Sequence, residues 1–265
     1  MSSRQRSTPW LRAALLAALS TVAGAVSAAP ASAASVAPTS TDAIFRPVFT
    51  TPQSPVSAGT AFVARFDHCD EPVLLTAIHL FGPPGGLAQP MTADDVKHGV
   101  SQAELTGFGR NAKHMLFEVD SLTPENAQPC CTSERMVGVG DVAAFTAPTR
   151  LKPIALPMAP NDVVAGDRVT LLAPLAGVAD AGLRHDAVVI GMHDGFLLYK
   201  FDDPNIPLRA TSGAPIVDST GRVVAINLMG GHLSKDDPAA TIGGGNPASA
   251  WRGAVESACQ ASSQK

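Results

Sequence analysis

The sequence predicts an all-β fold, a barrel or sandwich, on two observations. Short apolar, β-branched runs recur along most of the chain with turn residues between them, and one clear helical pattern stands at the C-terminus. The runs fall at 59–66, 72–78, 114–119, 137–145, 168–173, 187–191, 196–200 and 222–228. In the terminal helix Asn246 can cap, Pro247 suits the first turn, and Trp251, Ala254, Val255, Ala258 and Cys259 share one face.

The N-terminus reads differently. Arg4, Arg6 and Arg12 precede an Ala/Leu run of about 14 residues, too short to span a bilayer and the length of a signal-peptide core. Cleavage after Ala28, Ala29 or Ala33 would follow, so residues 1–33 are expected to be removed on export, to a secreted or periplasmic location. Their loss takes away three arginines and no acid, moving the formal charge from −4 (19 basic, 23 acidic) to −7 (16 basic, 23 acidic). An acidic chain with scattered Lys and Arg argues against a nucleic-acid partner or an anionic membrane surface. No later segment is long and apolar enough to cross a membrane.

Residues 34–56 are rich in Ala, Pro, Ser and Thr and read as a linker, a propeptide or a surface-packed arm, with the organised chain beginning near Val56. The runs 59–66 and 72–78 are joined by a polar turn and form a hairpin. Thr92 to Asp95 can cap a short helical turn, and the rest of the stretch from Gly82 to Met136 is mostly illegible. Four prolines between Thr146 and Asp162 suit a connection between two subdomains.

Three places carry chemistry. His79 ends the string Leu75-Thr76-Ala77-Ile78-His79; Asp141 follows Gly140 and precedes Val142-Ala143-Ala144-Phe145; Ser212 stands in Ala210-Thr211-Ser212-Gly213-Ala214-Pro215 before an apolar run. A serine hydroxyl becomes a useful nucleophile when a base takes its proton and backbone N–H groups receive the oxyanion. Thr-Ala-x-His at a strand end, the Gly59-Thr60-Ala61-Phe62 strand before it, the aspartate strand and the Ser-Gly-x-Pro turn together resemble the chymotrypsin-like (trypsin-fold) serine proteases. The chain order His79, Asp141, Ser212 is that family's order, not that of subtilisin-like enzymes or α/β-hydrolases.

The resemblance covers about residues 57–260 and implies a double β-barrel, with a first barrel at about 57–148, a second at about 163–245 and a helix at 247–260. It implies a serine endopeptidase in which Ser212 is the nucleophile, His79 the base and then acid, and Asp141 the holder of the imidazole. The N–H groups of Ala210 and Ser212 would form the oxyanion hole. Ile206 would floor the specificity pocket, which favours an uncharged substrate side chain, although Asp202 and Asp203 are close in sequence. Leu228, Met229 and Gly230 would pair with substrate main chain; His232 could line the pocket or sit in a surface loop, and the loop is the favoured reading. A peptide or protein is the implied partner; no cofactor is implied, and the scattered histidines support no metal site.

The sequence departs from the family where glycine is usual and alanine stands, at Ala210 and Ala214, and where aspartate is frequent and Thr211 stands. Without that aspartate, activation by a newly cut N-terminus is not expected. At Ala210 a left-handed backbone would cost about 1–2 kcal/mol, so either the peptide flips and withdraws its N–H or the loop accommodates the alanine. The rival reading from another class is a catalytically silent member that binds peptides. Four cysteines in an exported chain predict disulfides; because bridging the neighbours Cys130 and Cys131 requires a strained ring, each is expected to pair with Cys69 or Cys259.

Overall fold

The computed structural model describes residues 41–108, 113–130, 138–178, 182–234 and 237–263. The signal-peptide segment and Cys131 lie outside them. The described chain has the chymotrypsin-like double-barrel architecture: a seven-stranded sheet, a closed six-stranded barrel and a C-terminal helix.

The first sheet corrects the N-terminal expectation. Residues of the supposed linker form β1 (Ile44–Thr50), which pairs with both β2 (Ala61–Arg65) and the later β4. Phe45, Pro47 and Phe49 alternate with the more exposed Arg46, Val48 and Thr50, and Ile44, Phe45 and Phe49 are almost fully buried, so this segment is core. β2 continues antiparallel into β3 (Val73–Thr76), the expected hairpin. Helix α1 (Ala93–Gly99) opens on a capping box in which Thr92 and Asp95 exchange side-chain-to-backbone bonds. Next come β4 (Gln102–Gly107), β5 (His114–Glu118), β6 (Ala143–Thr146) and β7 (Leu156–Pro157), in the sheet order β5-β4-β1-β2-β3-β6 with β7 beside β2. Just beyond β5 the chain bonds back to β6, through Leu122 N–H to Ala144 O (2.8 Å) and Thr146 N–H to Asp120 O (2.9 Å).

The second barrel is β8 (Arg168–Leu172), β9 (Arg184–His193), β10 (Phe196–Phe201), β11 (Pro215–Asp218), β12 (Val223–Ser234) and β13 (Asp237–Pro247), closed in the order β10-β13-β12-β11-β8-β9. Closure pairs every strand on both sides and leaves no free edge. Tyr199, Phe201, Leu171 and Ile216 fill its interior.

Helix α2 (Ala248–Ser263) follows β13 directly. Asn246 therefore ends a strand and is not a side-chain cap: its Nδ2 donates to the Val139 carbonyl at 3.0 Å, two residues before Asp141. Trp251 and Val255 insert into the first sheet's core, with Trp251 edge-on to Phe66. None of the described helices is long and apolar enough to cross a membrane.

The disulfide expectation is also corrected. Cys69 and Cys259 bond to each other, with Cα atoms 5.4 Å apart, because α2 packs on β12 and β13, sets Trp251 against Phe66 and carries its last turns to the β2–β3 turn. Cys130 is disulfide-bonded as well and does not take either as partner. The Cys69–Cys259 bridge closes a 190-residue separation, so replacing both by serine should cost about 2–4 kcal/mol. A thermal melt reads this, and unreduced peptide mapping should recover a 69–259 linked peptide.

Candidate functional site

His79 and Asp141 come from the first sheet and Ser212 from the second barrel. His79 stands in a 3₁₀ turn (Ile78–Leu80) immediately after β3. Phe81, two residues on, packs its ring against Phe49 and Phe145, with centroids 5.1 and 5.9 Å away. Phe145 lies on β6, just after Asp141, so one aromatic cluster ties together the segments carrying both residues.

Asp141 is fully buried and its carboxylate is well partnered. Oδ1 accepts the His79 main-chain N–H at 3.0 Å, and Oδ2 lies 2.7 Å from His79 Nδ1. Oδ2 also accepts the Cys130 N–H at 2.7 Å. Such bonds satisfy a buried charge and hold the imidazole with Nδ1–H toward the acid, leaving Nε2 as a base. Cys130 Sγ is 3.9 Å from His79 Nδ1. His79, Cys130 and Asp141 are the one group of candidate metal donors among the described residues, but the cysteine is in a disulfide and Nδ1 is engaged by the carboxylate.

Ser212 follows the turn Leu208-Arg209-Ala210-Thr211, closed by Thr211 N–H to Leu208 O at 3.3 Å. Ala210, third in that turn, has φ 66°, while Arg209 is not among the positive-φ residues. This is the type II pattern, which normally takes glycine or asparagine at that place. The alanine thus sits in the strained conformation and the peptide has not turned away from it. Among the described residues, nothing accepts the N–H of Ala210 or of Ser212. Two backbone donors, one of them the serine's own, are consequently free to bind an oxygen. The Ser212 hydroxyl itself donates to Leu228 O at 2.9 Å, and no hydrogen bond joins it to His79.

The two halves meet through Thr60. Its N–H donates to Ser212 O (2.8 Å) and its hydroxyl to Ala210 O (3.1 Å), while Thr76 Oγ1 bonds Thr60 O (2.8 Å). Gly213 makes this approach possible. It has φ 84°, and a Cβ there would lie 2.2 Å from Thr60 O and 2.4 Å from Thr76 Oγ1. Thr60 belongs to the Gly-Thr-Ala-Phe string singled out from the sequence, though nothing there marks it as the bridge; Cys130 carried no signal as a partner of Asp141.

Ile206, Leu208, Gly230, Gly231, His232 and Thr241 line a pocket of about 300 Å³. Ile206 is 5% exposed and belongs mainly to the barrel core. Leu208 rests on Gly230, where a Cβ would come within 1.9 Å of its Cδ1. His232 lies on β12 and lines this pocket, in place of the surface-loop position expected for it. Asp202 is paired with Arg168 and Asp203 accepts the Asn205 N–H, and neither lines the pocket. The Arg168 guanidinium holds the Asp202 carboxyl below its ordinary range. Leu228 is buried, whereas Met229 and Gly230 are exposed along β12.

No family model matches the chain, and no curated protein does. Solved structures do. A thermostable serine protease AL20 from an extremophilic microorganism matches with a TM-score of 0.53 at 14% identity, over 84% of this chain and 99% of that one. The serine endoprotease from Yersinia pestis matches at 0.52 and 14% identity, over 84% of this chain and 64% of the other. The HtrA-type protease AlgW with decapeptide matches at 0.50 and 13% identity, over 84% and 66%. At such identities the similarity is one of fold, and it agrees with the trypsin-like fold that the motifs resemble.

Proposed function

We propose that the protein is an exported serine endopeptidase that cleaves peptides or proteins through Ser212, His79 and Asp141. The observation that carries this reading is the pair of free N–H groups at Ala210 and Ser212, on a segment whose Gly213 abuts Thr60, Thr76 and Ala77, which stands two residues before a histidine bonded to a buried aspartate. In the proposed reaction the Ser212 hydroxyl rotates from Leu228 O toward His79 Nε2 and gives up its proton as Oγ bonds the substrate carbonyl carbon. The two N–H groups hold the oxyanion, His79 protonates the leaving amine as the C–N bond breaks, and water repeats the sequence to release the acid. Leu228 O, freed by the rotation, can accept a substrate N–H from a strand laid along Met229 and Gly230. Export is supported by the disulfides, which persist in oxidising compartments.

The pocket lining carries no acid, so an uncharged side chain is expected before the cut bond. Mass-spectrometric profiling of an unbiased peptide library tests this. Cleavage after uncharged residues, absent with His79→Ala, is the expected result; cleavage after Lys and Arg contradicts the pocket assignment. The second reading, a silent peptide-binding member, draws on the Ser212 hydroxyl pointing at Leu228 and on the alanine in the turn. It predicts library binding without any cleavage.

A further inference from the structure

Beneath the turn that carries Ala210 runs a chain of buried polar side chains. Tyr199, Asn227 and Thr211 are each at most 1% exposed. The Tyr199 hydroxyl donates to Asn227 Oδ1. Asn227 Nδ2 donates to Thr211 Oγ1 at 2.9 Å and to Thr211 O at 3.1 Å. Thr211 Oγ1 in turn donates to Leu208 O at 2.7 Å, reinforcing the bond that closes the turn. Each side-chain hydrogen in the chain is used once and all run the same way, which fixes the orientation of the Asn227 amide. The tyrosine ring is itself immobile: it lies over Gly243, where a Cβ would be 2.1 Å from Cε2, and meets Phe201 edge-on at 5.5 Å. Burial pushes the Tyr199 phenol well above its ordinary pKa, so its O–H remains a donor.

The carbonyls of Leu208, Ala210, Thr211 and Ser212 are therefore all held from behind, by Thr211, Thr60, Asn227 and Thr60 respectively. The Arg209–Ala210 peptide, which supplies the Ala210 N–H, has no such anchor among the described residues. Its alanine prefers a negative φ, and rotating this peptide would convert the type II turn to type I. We infer that Tyr199 and Asn227 are positioning residues that, through Thr211, hold the turn in the form that keeps the Ala210 N–H available. They do so in a chain whose Thr211 carries no charge to anchor the turn by an ion pair. This rests on the endopeptidase reading of the same site.

The test is a cycle between Tyr199→Phe and Ala210→Gly, read by the rate at which a fluorophosphonate phosphonylates Ser212. Its phosphoryl oxygen needs the same two donors. Tyr199→Phe keeps the ring and removes the hydroxyl, leaving the Asn227 amide free to rotate and release Thr211. Complete loss of one donor is worth on the order of 10²–10³, so a fall of at least about ten-fold is expected with Ala210. In the Ala210→Gly background, where positive φ is free of the Cβ penalty, most of that fall should disappear when the double variant is compared with Ala210→Gly alone. Thr211→Val is the second variant, with the same expected rescue. An unchanged rate in Tyr199→Phe, or an equal fall in both backgrounds, overturns the inference. A crystal structure of Tyr199→Phe adds a readout free of activity: φ of Ala210 should become negative, and a retained value near 66° contradicts the positioning role. Failure of the wild type to label would instead count against Ser212 as nucleophile, whatever that φ does.

Discussion

Replacing Ser212 or His79 by alanine should lower kcat by on the order of 10⁴–10⁶, with the double variant little worse than either single one. On the proposed mechanism the two act as a unit, since neither a base without its hydroxyl nor a hydroxyl without its base forms the acyl intermediate. Asp141→Ala should fall somewhat less in rate and more in stability. Its carboxylate holds not only the imidazole but also the main-chain N–H groups of His79 and Cys130, all in a fully buried setting. Ser212→Ala loses one hydrogen bond, to Leu228 O, and should melt within a few degrees of wild type. Steady-state kinetics on one cleaved peptide, with melts on the same samples, separate the two effects.

Gly213→Ala is expected to be strongly damaging, because it combines a backbone penalty with a clash. The backbone penalty at φ 84° is about 1–2 kcal/mol. The larger cost is steric, because the new methyl would stand 2.2 Å from the Thr60 carbonyl and 2.4 Å from Thr76 Oγ1. Both atoms belong to the contact that joins the two halves, so relief requires Thr60 to move away from Ser212 and Ala210. Gly177→Ala is the matched control: it has φ 80° with nothing within 4 Å of its Cβ, and should show the backbone penalty alone, a melting shift of about 2–8 °C. Gly213→Ala should lose far more than this and lose activity with it. Equal melting temperatures for the two variants would mean that the inter-barrel contact yields cheaply.

The site was legible in the sequence where short strings set local geometry, and illegible where the partners are distant. His79 at a strand end, Asp141 before a buried run and Ser212 before Gly213 are local patterns. Thr60 bonding Ala210 across 150 positions comes from the packing of the two halves, and Asn227 reaching back to Thr211 from the β11–β12 pairing, neither of which local spacing reveals. Among the strands absent from the sequence reading, β1 and β13 escaped for chemical reasons. β1 carries Pro47, which weakens a strand reading, yet Pro47 sits opposite Leu105 of β4 and beyond the β2 pairing, which involves only Ile44 and Phe45. β13 contains Gly243, Gly244 and Gly245, which read as loop; Gly243 is needed because Tyr199 occupies the space a side chain would take. The cysteine pairing is not legible because adjacency of Cys130 and Cys131 says nothing of where α2 ends, and the meeting of its last turns with the β2–β3 turn decides the partner of Cys259.

The central claim is that Ser212 is an activated nucleophile, and covalent trapping tests it most directly. Purified protein is incubated with a fluorophosphonate, digested and mapped by mass spectrometry, alongside Ser212→Ala and His79→Ala. One adduct on the peptide containing Ser212, absent from Ser212→Ala and strongly slowed in His79→Ala, is the expected result. An unlabelled wild type that is folded by thermal melt, or labelling that persists at the same rate in Ser212→Ala, would contradict it.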